Sequence, residues 1–345
     1  MKGTKSIKIG GEFEINPISL SGLSKFIPDI KNCLYASGSI ALMAILNFIG
    51  KRNKKIIYIP FYICKSVFNA CEKSGFVTRF YELDTQFLFP FNEIDKIERN
   101  ATLLFVNYFG FIDASDIISK VKANRPDIIT IYDNVQSYWT YKNTPADFSF
   151  TSLRKHIATP DGALIDSKDP DFYNYSNLDE NNFYWAKLTA SLLKYEQINN
   201  EVYLNLFEEG ENQLYNANNI TKASIFGNYF YKNADWNKIK ERRKLNYRKV
   251  YEIGYNEGIE FLFSYKEGII PLNVPILINK RDNIRRMLFD MNIFLPVHWP
   301  PEDFNKNSKN INALINNELS LIIDQRYTVK QIEFQMKKLL SVLEI

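Results

Sequence analysis

The sequence predicts an α/β protein whose larger domain is built on a mixed, mostly parallel β-sheet. In the first half of the chain, apolar runs of strand length alternate with segments of helical pattern, as in sheets whose parallel strands are joined by helices. The chain has 345 residues, more than one ordinary core holds, so about two domains are expected. Hydrophobic residues make up 46% and charged residues 24% of the chain, which is the balance of a globular protein.

The first half supplies the strands and helices of this sheet. Strand-length apolar runs are found at Ile56–Ile59, Val77–Tyr81, Leu103–Val106, Ile128–Tyr132, Phe148–Phe150 and Ala163–Ile165. Helical patterns lie between them over residues 38–50, 64–74, 92–99 and 112–124. Ligand sites in such folds lie at the carboxyl ends of the strands, and Asp133 falls at one of these ends.

The second half predicts more helix and a smaller α+β unit. Residues from about 180 to 215 have helical spacing over Trp185–Leu193 and suit packing between domains or subunits. A charged helix is predicted from about Trp236 to Gly258. It is followed by a strand at Val274–Ile278, a helix over 281–292, a strand near Phe294 and a closing helix over 328–343. We therefore expect a large domain over residues 1–235 and a small C-terminal domain over 236–345.

Composition argues against several classes of partner. The net charge is only +4 and no block of lysine and arginine stands out, so nucleic acid is not an expected partner. Cys33, Cys64 and Cys71 have no CxxC spacing, which fits a reducing compartment, and with only His156 and His298 no metal site is expected. The N-terminus lacks an apolar signal segment and no stretch is long and apolar enough to span a bilayer, so we expect a cytoplasmic protein.

Lys155 and Asp133 suggest pyridoxal phosphate chemistry. A lysine amine can hold an aldehyde cofactor as a Schiff base, and an acid at a strand end can keep the cofactor's pyridine nitrogen protonated. Asp133 ends the strand before Gln136, and Lys155 follows the next strand closely. An ionised aspartate buried there needs a partner, which a pyridinium N–H would provide. The alternative is that Asp133 caps the next helix and that Lys155 is an ordinary surface lysine.

A phosphate-binding element is predicted where small residues begin the helix near Gly38. The free backbone N–H groups at such a helix start could bind a phosphate, and the glycine would allow close approach. The alternative is an ordinary serine N-cap. Ser152 is near enough to Lys155 in the chain to contact the same phosphate, although a plain turn serine fits equally well.

Together these residues resemble the sugar aminotransferases of the DegT/DnrJ/EryC1/StrS family. The Ser-Gly-Thr-Ala-Ala-Leu helix start of that family is matched by Ser37–Leu42, and its Asp-x-x-Gln element by Asp133 and Gln136. A subgroup reading Ser-Pro-Arg-Lys and then Pro-Asp-Gly-Gly is matched most closely. Its motifs correspond to Ser152–Lys155, Pro160–Ala163, Pro296–Pro300 and Asp324–Tyr327.

The resemblance implies a fold type I transferase that uses pyridoxal 5'-phosphate. It assigns Lys155 to the imine and to proton transfer, Asp133 to the ring nitrogen, and Gln136 to a place beside the ring. It assigns the cofactor phosphate to Gly38, Ser39 and Ser152, and the face of the ring to Cys64. Arg154, His298 and Arg326 would contact the donor carboxylate or the sugar nucleotide, or would instead form structural ion pairs.

By the same resemblance, the reaction would move an amino group from glutamate or glutamine to a nucleotide-linked keto sugar. Such reactions belong to the biosynthesis of cell-surface polysaccharides or related sugars. The family also implies a homodimer.

Four positions depart from the family pattern. Cys64 and Asn107 stand where many relatives have an aromatic residue and a histidine beside the cofactor ring, and Ala163 replaces a glycine. One extra residue separates Ser152 from the lysine, so a different register would put Arg154 or His156 at the catalytic place. The match over residues 157–165 favours Lys155.

Other functions stay open. With His156 as the base, the chain would resemble the relatives that are cofactor-dependent sugar dehydratases. A non-catalytic protein that binds a sugar nucleotide would lack the absorbance of a lysine-bound cofactor. A dinucleotide-dependent oxidoreductase would need a GxGxxG fingerprint after the first strand, and the sequence has none.

Overall fold

A computed structural model describes residues 7–25, 34–174, 178–305, 308 and 311–343. The chain divides into two compact units. The first, called the sheet unit below, comprises the described residues of Glu12–Asn107 and Asp113–Ala234. The second, called the C-terminal unit, comprises Tyr108–Ile112 and the described residues of Met1–Gly11 and Asp235–Ile345. Cys33 lies outside the described residues.

The elements follow one another along the chain as the strands β1–β12 and the helices α1–α10. The strands are β1 Ile9–Gly10, β2 Ile56–Pro60, β3 Val77–Tyr81, β4 Thr102–Val106, β5 Ile129–Asp133, β6 Phe148–Ser152, β7 Ala163–Ser167, β8 Asp179–Glu180, β9 Thr221–Lys222, β10 Asn273–Leu277, β11 Ile293–Phe294 and β12 Glu318–Ile322. The helices are α1 Gly38–Ile49, α2 Lys65–Lys73, α3 Ser115–Asn124, α4 Phe183–Tyr195, α5 Asn200–Asn216, α6 Ile225–Asn233, α7 Trp236–Asn256, α8 Arg281–Asp290, α9 Asn312–Asn317 and α10 Val329–Leu343.

The sheet unit is built on six hydrogen-bonded strands in the order β3-β2-β4-β5-β6-β7. The first five run parallel and β7 runs antiparallel to β6. Strands β4 and β6 are buried along their whole length, as expected for central strands covered on both faces. The predicted mixed, mostly parallel sheet is therefore confirmed, and each of its six strands overlaps one of the predicted runs.

Two of the predicted helices in this unit differ from the structure. The segment predicted as a helix over 92–99 is a 3-10 helix over Phe91–Lys96, bounded by Pro90 and by extended backbone at Ile97. So short a segment suits the tighter 3-10 winding better than an α-helix. The helix predicted over 112–124 begins only at Ser115, after a turn in which the Asp113 carboxylate accepts the Ser115 N–H.

The parallel register gathers the carboxyl ends of the strands at one edge of the sheet. Val106 pairs with Asp133, and Asp133 pairs with Phe150, two residues before β6 ends at Ser152. The loop before α1 joins the same edge, because Gly162 donates its N–H to the Ala36 carbonyl at 2.9 Å. The sheet edge thus brings together the chain around residues 36–38, 133–136 and 152–156.

The C-terminal unit contains two small sheets and four helices within its described residues. Strand β10 pairs antiparallel with β12, and β1 pairs parallel with β11. Helix α8 ends two residues earlier than predicted, since Asn292 adopts the left-handed conformation (φ 62°) that asparagine tolerates at helix ends. The proposed domain boundary at residue 235 stays a prediction. Among the described helices, none combines the length and the apolar character that crossing a membrane requires.

Candidate functional site

Asp133 is a buried carboxylate with one hydrogen bond. It is the last residue of β5, and only 6% of it is exposed. Among the described residues, its carboxylate accepts a single hydrogen bond, from the Val135 N–H at 2.9 Å. Burial raises the pKa of Asp133 from 3.8 to about 7, and the Val135 N–H opposes this only in part. Asp133 does not cap a helix, so a cationic N–H donor would satisfy a carboxylate that the protein leaves largely unpaired.

The start of α1 lies against the loop that follows Asp133. Ser37 caps the helix, because its hydroxyl accepts the Ile40 N–H at 3.2 Å. The serine N-cap that the sequence offered as an alternative is therefore present. A Cβ atom at Gly38 would lie 3.2 Å from Val135 Cγ2 and 3.4 Å from Ser152 Cβ. The first backbone N–H groups of a helix have no partner within it, so this close packing aims N–H donors at the carboxyl edge of the sheet.

The three residues of the 154–156 segment have different surroundings. Lys155 is exposed at the end of a short 3-10 helix, Leu153–Lys155. The Arg154 side chain forms an ion pair with Glu211 of α5. His156 is fully buried, and its Nε2 lies 3.0 Å from the Val135 carbonyl oxygen. Of the three, Lys155 is the side chain that a ligand could reach.

His156 is also packed between aromatic rings. Its ring centroid lies 5.7 Å from that of Trp139 and 5.9 Å from that of Tyr138. This is the environment of a core histidine that links the 3-10 helix to the loop after β5.

A polar network organises the loop after β5. Asn134 is fully buried, and its amide donates to the Ser149 hydroxyl at 3.0 Å. The Asn107 amide donates to Asn134 Oδ1 at 3.3 Å and to the Thr140 hydroxyl at 3.2 Å. Gln136 is buried in the same loop. The asparagine that stands in place of a histidine at position 107 therefore takes part in fixing this loop.

Cys64 and Ser39 lie at the starts of two helices. Cys64 is partly buried as the N-cap of α2, and its Sγ lies 3.1 Å from the Ser66 hydroxyl. Ser39 lies in the first turn of α1, with its hydroxyl 3.0 Å from that of Ser37.

A cavity of about 210 Å³ lies beside these helix starts, between α1, α2 and α5. Its polar lining consists mainly of Ser39, Ser66, Asn69, Lys73, Glu211 and Asn212. Lys73 donates to the carbonyls of Tyr215 and, at 2.8 Å, Ala217, so it holds the end of α5 in place. The cavity therefore connects the predicted phosphate residue Ser39 with Glu211, the partner of Arg154.

The turn before β7 holds a second buried carboxylate. Asp161 accepts hydrogen bonds from the Ser224 N–H at 2.6 Å, the Ser224 hydroxyl at 2.9 Å and the Asn181 amide at 2.8 Å. Burial raises its pKa to about 6, against these hydrogen bonds. Gly162 has φ +122°, and a Cβ there would lie 2.8 Å from Leu153 Cδ1, so glycine is required. Ala163, by contrast, is a regular residue of β7 that pairs with Ser152.

Sequence reasoning did not identify Glu211, Lys187 or the role of Asp161. Glu211 lies 57 residues from Arg154 along the chain, and Lys187 reaches the same carboxylate from α4. No local pattern signals such a pairing. The Pro160–Gly162 motif did mark the turn, and a buried Asp there could have been expected to anchor a helix start.

His298 and Arg326 lie in the C-terminal unit. His298 is mostly buried, and its Nδ1 lies 3.0 Å from the Ser320 hydroxyl, which donates to Glu318 at 2.6 Å. Arg326 forms a two-point ion pair with Asp324 at 2.8 and 3.0 Å. Burial would raise the pKa of Asp324, but Arg326 lowers it below its ordinary value. Within this unit, the contacts of Arg326 are therefore those of a structural ion pair, which is one of the two roles predicted for it.

No family model and no curated protein sequence matches this chain. Its fold is nevertheless similar to several solved structures. Helicobacter pylori PseC, an aminotransferase involved in the biosynthesis of pseudoaminic acid, superposes with a TM-score of 0.68 at 12% identity, covering 98% of this chain and 100% of PseC. A DegT DnrJ EryC1 StrS aminotransferase from Brucella abortus gives 0.63 at 14% identity, over 96% of this chain and 91% of that chain.

A third similar structure is Spr1654 from Streptococcus pneumoniae, a candidate sugar aminotransferase solved in its PLP form. It gives a TM-score of 0.66 at 14% identity, covering 97% of this chain and 93% of that chain. Likeness at such low identity establishes the fold. The predicted fold, that of the fold type I sugar aminotransferases, is confirmed over nearly the whole chain.

Proposed function

We propose that the chain is a pyridoxal 5'-phosphate-dependent sugar aminotransferase of the DegT/DnrJ/EryC1/StrS type. The observation that carries this proposal is Asp133, a carboxylate buried at the carboxyl edge of the sheet with a single backbone N–H as its partner. A cofactor with a protonated ring nitrogen supplies the missing donor. The packing of Gly38 against Val135 and Ser152 supports a phosphate site at the same edge.

Each residue at this edge has a distinct task in the proposal. Asp133 would keep the cofactor's ring nitrogen protonated, and Gln136 would be placed beside the ring. Gly38, Ser39 and Ser152 would bind the phosphate, and Cys64 would border the ring. The cofactor supplies an electron sink when bound. Lys155 would hold the cofactor covalently, and its amine, once the amino donor has displaced it, would serve as the base and acid for the proton that the reaction moves.

The finer points of the proposal rest on the resemblance and the structural neighbours. The amino donor would be glutamate or glutamine and the acceptor a nucleotide-linked keto sugar, with Arg154, His298 and Arg326 as candidate contacts for their anionic groups. The protein would be a cytoplasmic homodimer with a large domain over residues 1–235 and a small domain over 236–345. PseC is involved in the biosynthesis of pseudoaminic acid, which supports a sugar as the acceptor.

The surroundings of His156 weigh against the dehydratase alternative. In that alternative, a histidine replaces the lysine as the base. His156 is fully buried, contacts the Val135 carbonyl and packs against Trp139 and Tyr138, whereas Lys155 is exposed. A base that must reach substrate suits the exposed residue.

Borohydride reduction tests the assignment of Lys155. The purified protein loaded with pyridoxal phosphate should be yellow, and reduction should fix a pyridoxyl group on Lys155, as found by peptide mapping. Lys155→Ala should abolish both the colour and amino transfer. Lys54→Ala, which removes an exposed lysine elsewhere in the sheet unit, is the matched control and should change neither.

Three outcomes would change or replace the proposal. A pyridoxyl group on another lysine would move the covalent site. If neither glutamate nor glutamine changes the spectrum of the loaded protein, the non-catalytic alternative is favoured. A sugar product that loses oxygen without gaining nitrogen would favour the dehydratase.

A further inference from the structure

A cluster of two mostly buried cations and one half-exposed carboxylate adjoins the segment that carries Lys155. One carboxylate oxygen of Glu211, on α5, pairs with both the Arg154 guanidinium and the Lys187 ammonium. The side chains of Arg154 and Lys187 are only 16% and 3% exposed, while that of Glu211 is 46% exposed. Arg154 directly precedes Lys155 in the 3-10 helix Leu153–Lys155. The carboxylate therefore ties this short helix to two longer ones.

The packing of α4 on α5 makes this cluster possible. A Cβ at Gly210 would lie 2.7 Å from Lys187 Cγ, so the glycine leaves room for the lysine stem to pass along α5. The Lys187 ammonium lies 5.7 Å from the centroid of the Phe207 ring, one turn earlier on the same helix. Lys187 can therefore reach Glu211 only because residue 210 has no side chain.

The charges of this region are unequal. Arg154 and Lys187 both form an ion pair with Glu211, and the positive charge of Lys155 also acts on this carboxylate. Two further carboxylates act on the same cations, Glu12 on Lys187 and the buried Asp161 on Arg154. Removal of Glu211 would break both of these ion pairs and would increase the net positive charge around Lys155, although Glu12 and Asp161 would remain. An ion pair that served stability alone would not need to lie beside the exposed lysine of the candidate site.

We propose that Glu211 is a positioning residue for Lys155: it holds the Arg154 guanidinium against α5 and balances the positive charge around the neighbouring amine. The importance of that amine rests on the proposed function. The half-exposed side chain of Glu211 also lines the cavity that Ser39 lines, which places this carboxylate next to a predicted phosphate-binding residue.

The titration of Glu211 agrees with this geometry. Burial alone would raise its pKa, but Arg154, Lys187 and Lys155 together lower it from 4.5 to about 2. The carboxylate is therefore ionised at any pH at which the protein would be assayed.

The test measures how fast Lys155 reacts with acetic anhydride, because only the uncharged amine reacts. The full chain is first dialysed against hydroxylamine, which frees any lysine-bound aldehyde. Acetylation of Lys155 relative to the exposed Lys54 is then followed by mass spectrometry at a fixed, mildly alkaline pH. In Glu211→Gln the relative rate should rise by about threefold, the effect of losing about one nearby unit charge when solvent screens the exposed Lys155.

Matched variants separate positioning from stability. Glu208→Gln removes an exposed carboxylate of the same helix and should leave the rate unchanged. Glu211→Asp keeps the charge and should return the rate most of the way to that of the unmodified chain. Arg154→Met removes a neighbouring cation and should slow acetylation of Lys155 by about threefold, the opposite direction.

A folded Glu211→Gln variant whose Lys155 reacts within twofold of the unmodified chain would overturn the proposal. An equal rise in Glu208→Gln would also do so. If Glu211→Gln does not fold, Arg154→Met decides, and an unchanged rate there rejects the proposal. Because the reaction is measured without cofactor, its failure is distinct from failure of the borohydride test, which concerns the function itself.

Discussion

Two buried carboxylates of the sheet unit differ in what surrounds them. Asp133, at the end of β5, and Asp161, in the turn before β7, are both almost completely buried, and burial raises the pKa of each, to about 7 and about 6. Asp161 accepts three hydrogen bonds from protein donors, whereas Asp133 accepts one. The two carboxylates therefore share burial and a raised pKa, and they differ in the number of protein donors that each accepts.

The structural role of Asp161 follows from its partners. It accepts from both the N–H and the hydroxyl of Ser224, the residue that caps α6, and from Asn181 just before α4. A Cβ at Gly227 would lie 2.1 Å from its Oδ1, so α6 packs directly on the carboxylate. Asp161 thus accepts three of the roughly four hydrogen bonds that a carboxylate can accept, whereas Asp133 accepts one and has more capacity for an added donor.

The largest expected effect is kinetic and concerns Asp133. Asp133→Asn keeps the shape of the side chain but removes the charge that would stabilise a protonated ring nitrogen. Proton transfer with an amino donor should slow by at least about 100-fold, as when a preorganised charge is lost from an active site. The measurement is the single-turnover absorbance change of the loaded protein after glutamate or glutamine is added.

The control for this loss is Asp161→Asn, which changes a carboxylate of similar burial. If that variant folds, its single-turnover rate should stay within a few-fold of the unmodified chain. An unchanged rate in Asp133→Asn would mean that the two carboxylates do not differ in function.

The second expected effect is on stability, and here substitution of Asp161 should matter more than substitution of Asp133. Asp161→Ala leaves buried donors of Ser224 and Asn181 without an acceptor, so the free energy of unfolding should fall by about 4 kcal/mol. Urea unfolding at pH 8 measures this change. Asp133→Asn in the cofactor-free chain should not lower stability at that pH, since it removes a buried charge with one hydrogen bond. A larger loss in Asp133→Asn than in Asp161→Ala would contradict the comparison.

The sequence predicted the local part of this picture. Apolar runs predicted the positions of the six strands, and the strand-end rule predicted that Asp133 lies at the carboxyl edge of the sheet. At Gly38 and Gly162 the close packing and, at Gly162, the positive φ suit glycine better than any other residue type, so the glycines in the sequence were informative. These features depend on neighbours along the chain, which a single sequence displays.

Features that depend on distant residues could not be predicted in this way. The partners of Asp161 and Arg154 lie 63 and 57 residues away along the chain. Helix α5 was not predicted, because its polar composition hides a narrow buried stripe formed by Tyr203, Phe207 and Gly210. Arg326 differs, since its partner Asp324 is two residues away and could have been read from the sequence. The ligand roles of Arg154, His298 and Arg326 stay predictions.

The smallest expected effect is the pH dependence of the free energy of unfolding. It compares the Asp133 and Asp161 carboxylates most directly. The pKa of Asp133 is raised by burial from 3.8 to about 7 on folding, so its contribution to stability is fully present below about pH 3.8 and is lost as the pH rises through 7. Between pH 5 and pH 7 the loss amounts to about 2 kcal/mol, at about 1.4 kcal/mol for each pH unit fully expressed. Asp161, with a pKa of about 6, adds a smaller loss in the same direction over the same window.

Urea unfolding of the cofactor-free chain at several pH values should therefore show stability falling from pH 5 to pH 7, and Asp133→Asn should remove the larger part of that slope. Pyridoxal phosphate should also reduce the slope in the unmodified chain, because a cationic partner for Asp133 would bring its pKa down. A slope that survives Asp133→Asn unchanged would show that Asp133 is already satisfied in the protein, as Asp161 is, and would remove the main support for a cofactor at this edge.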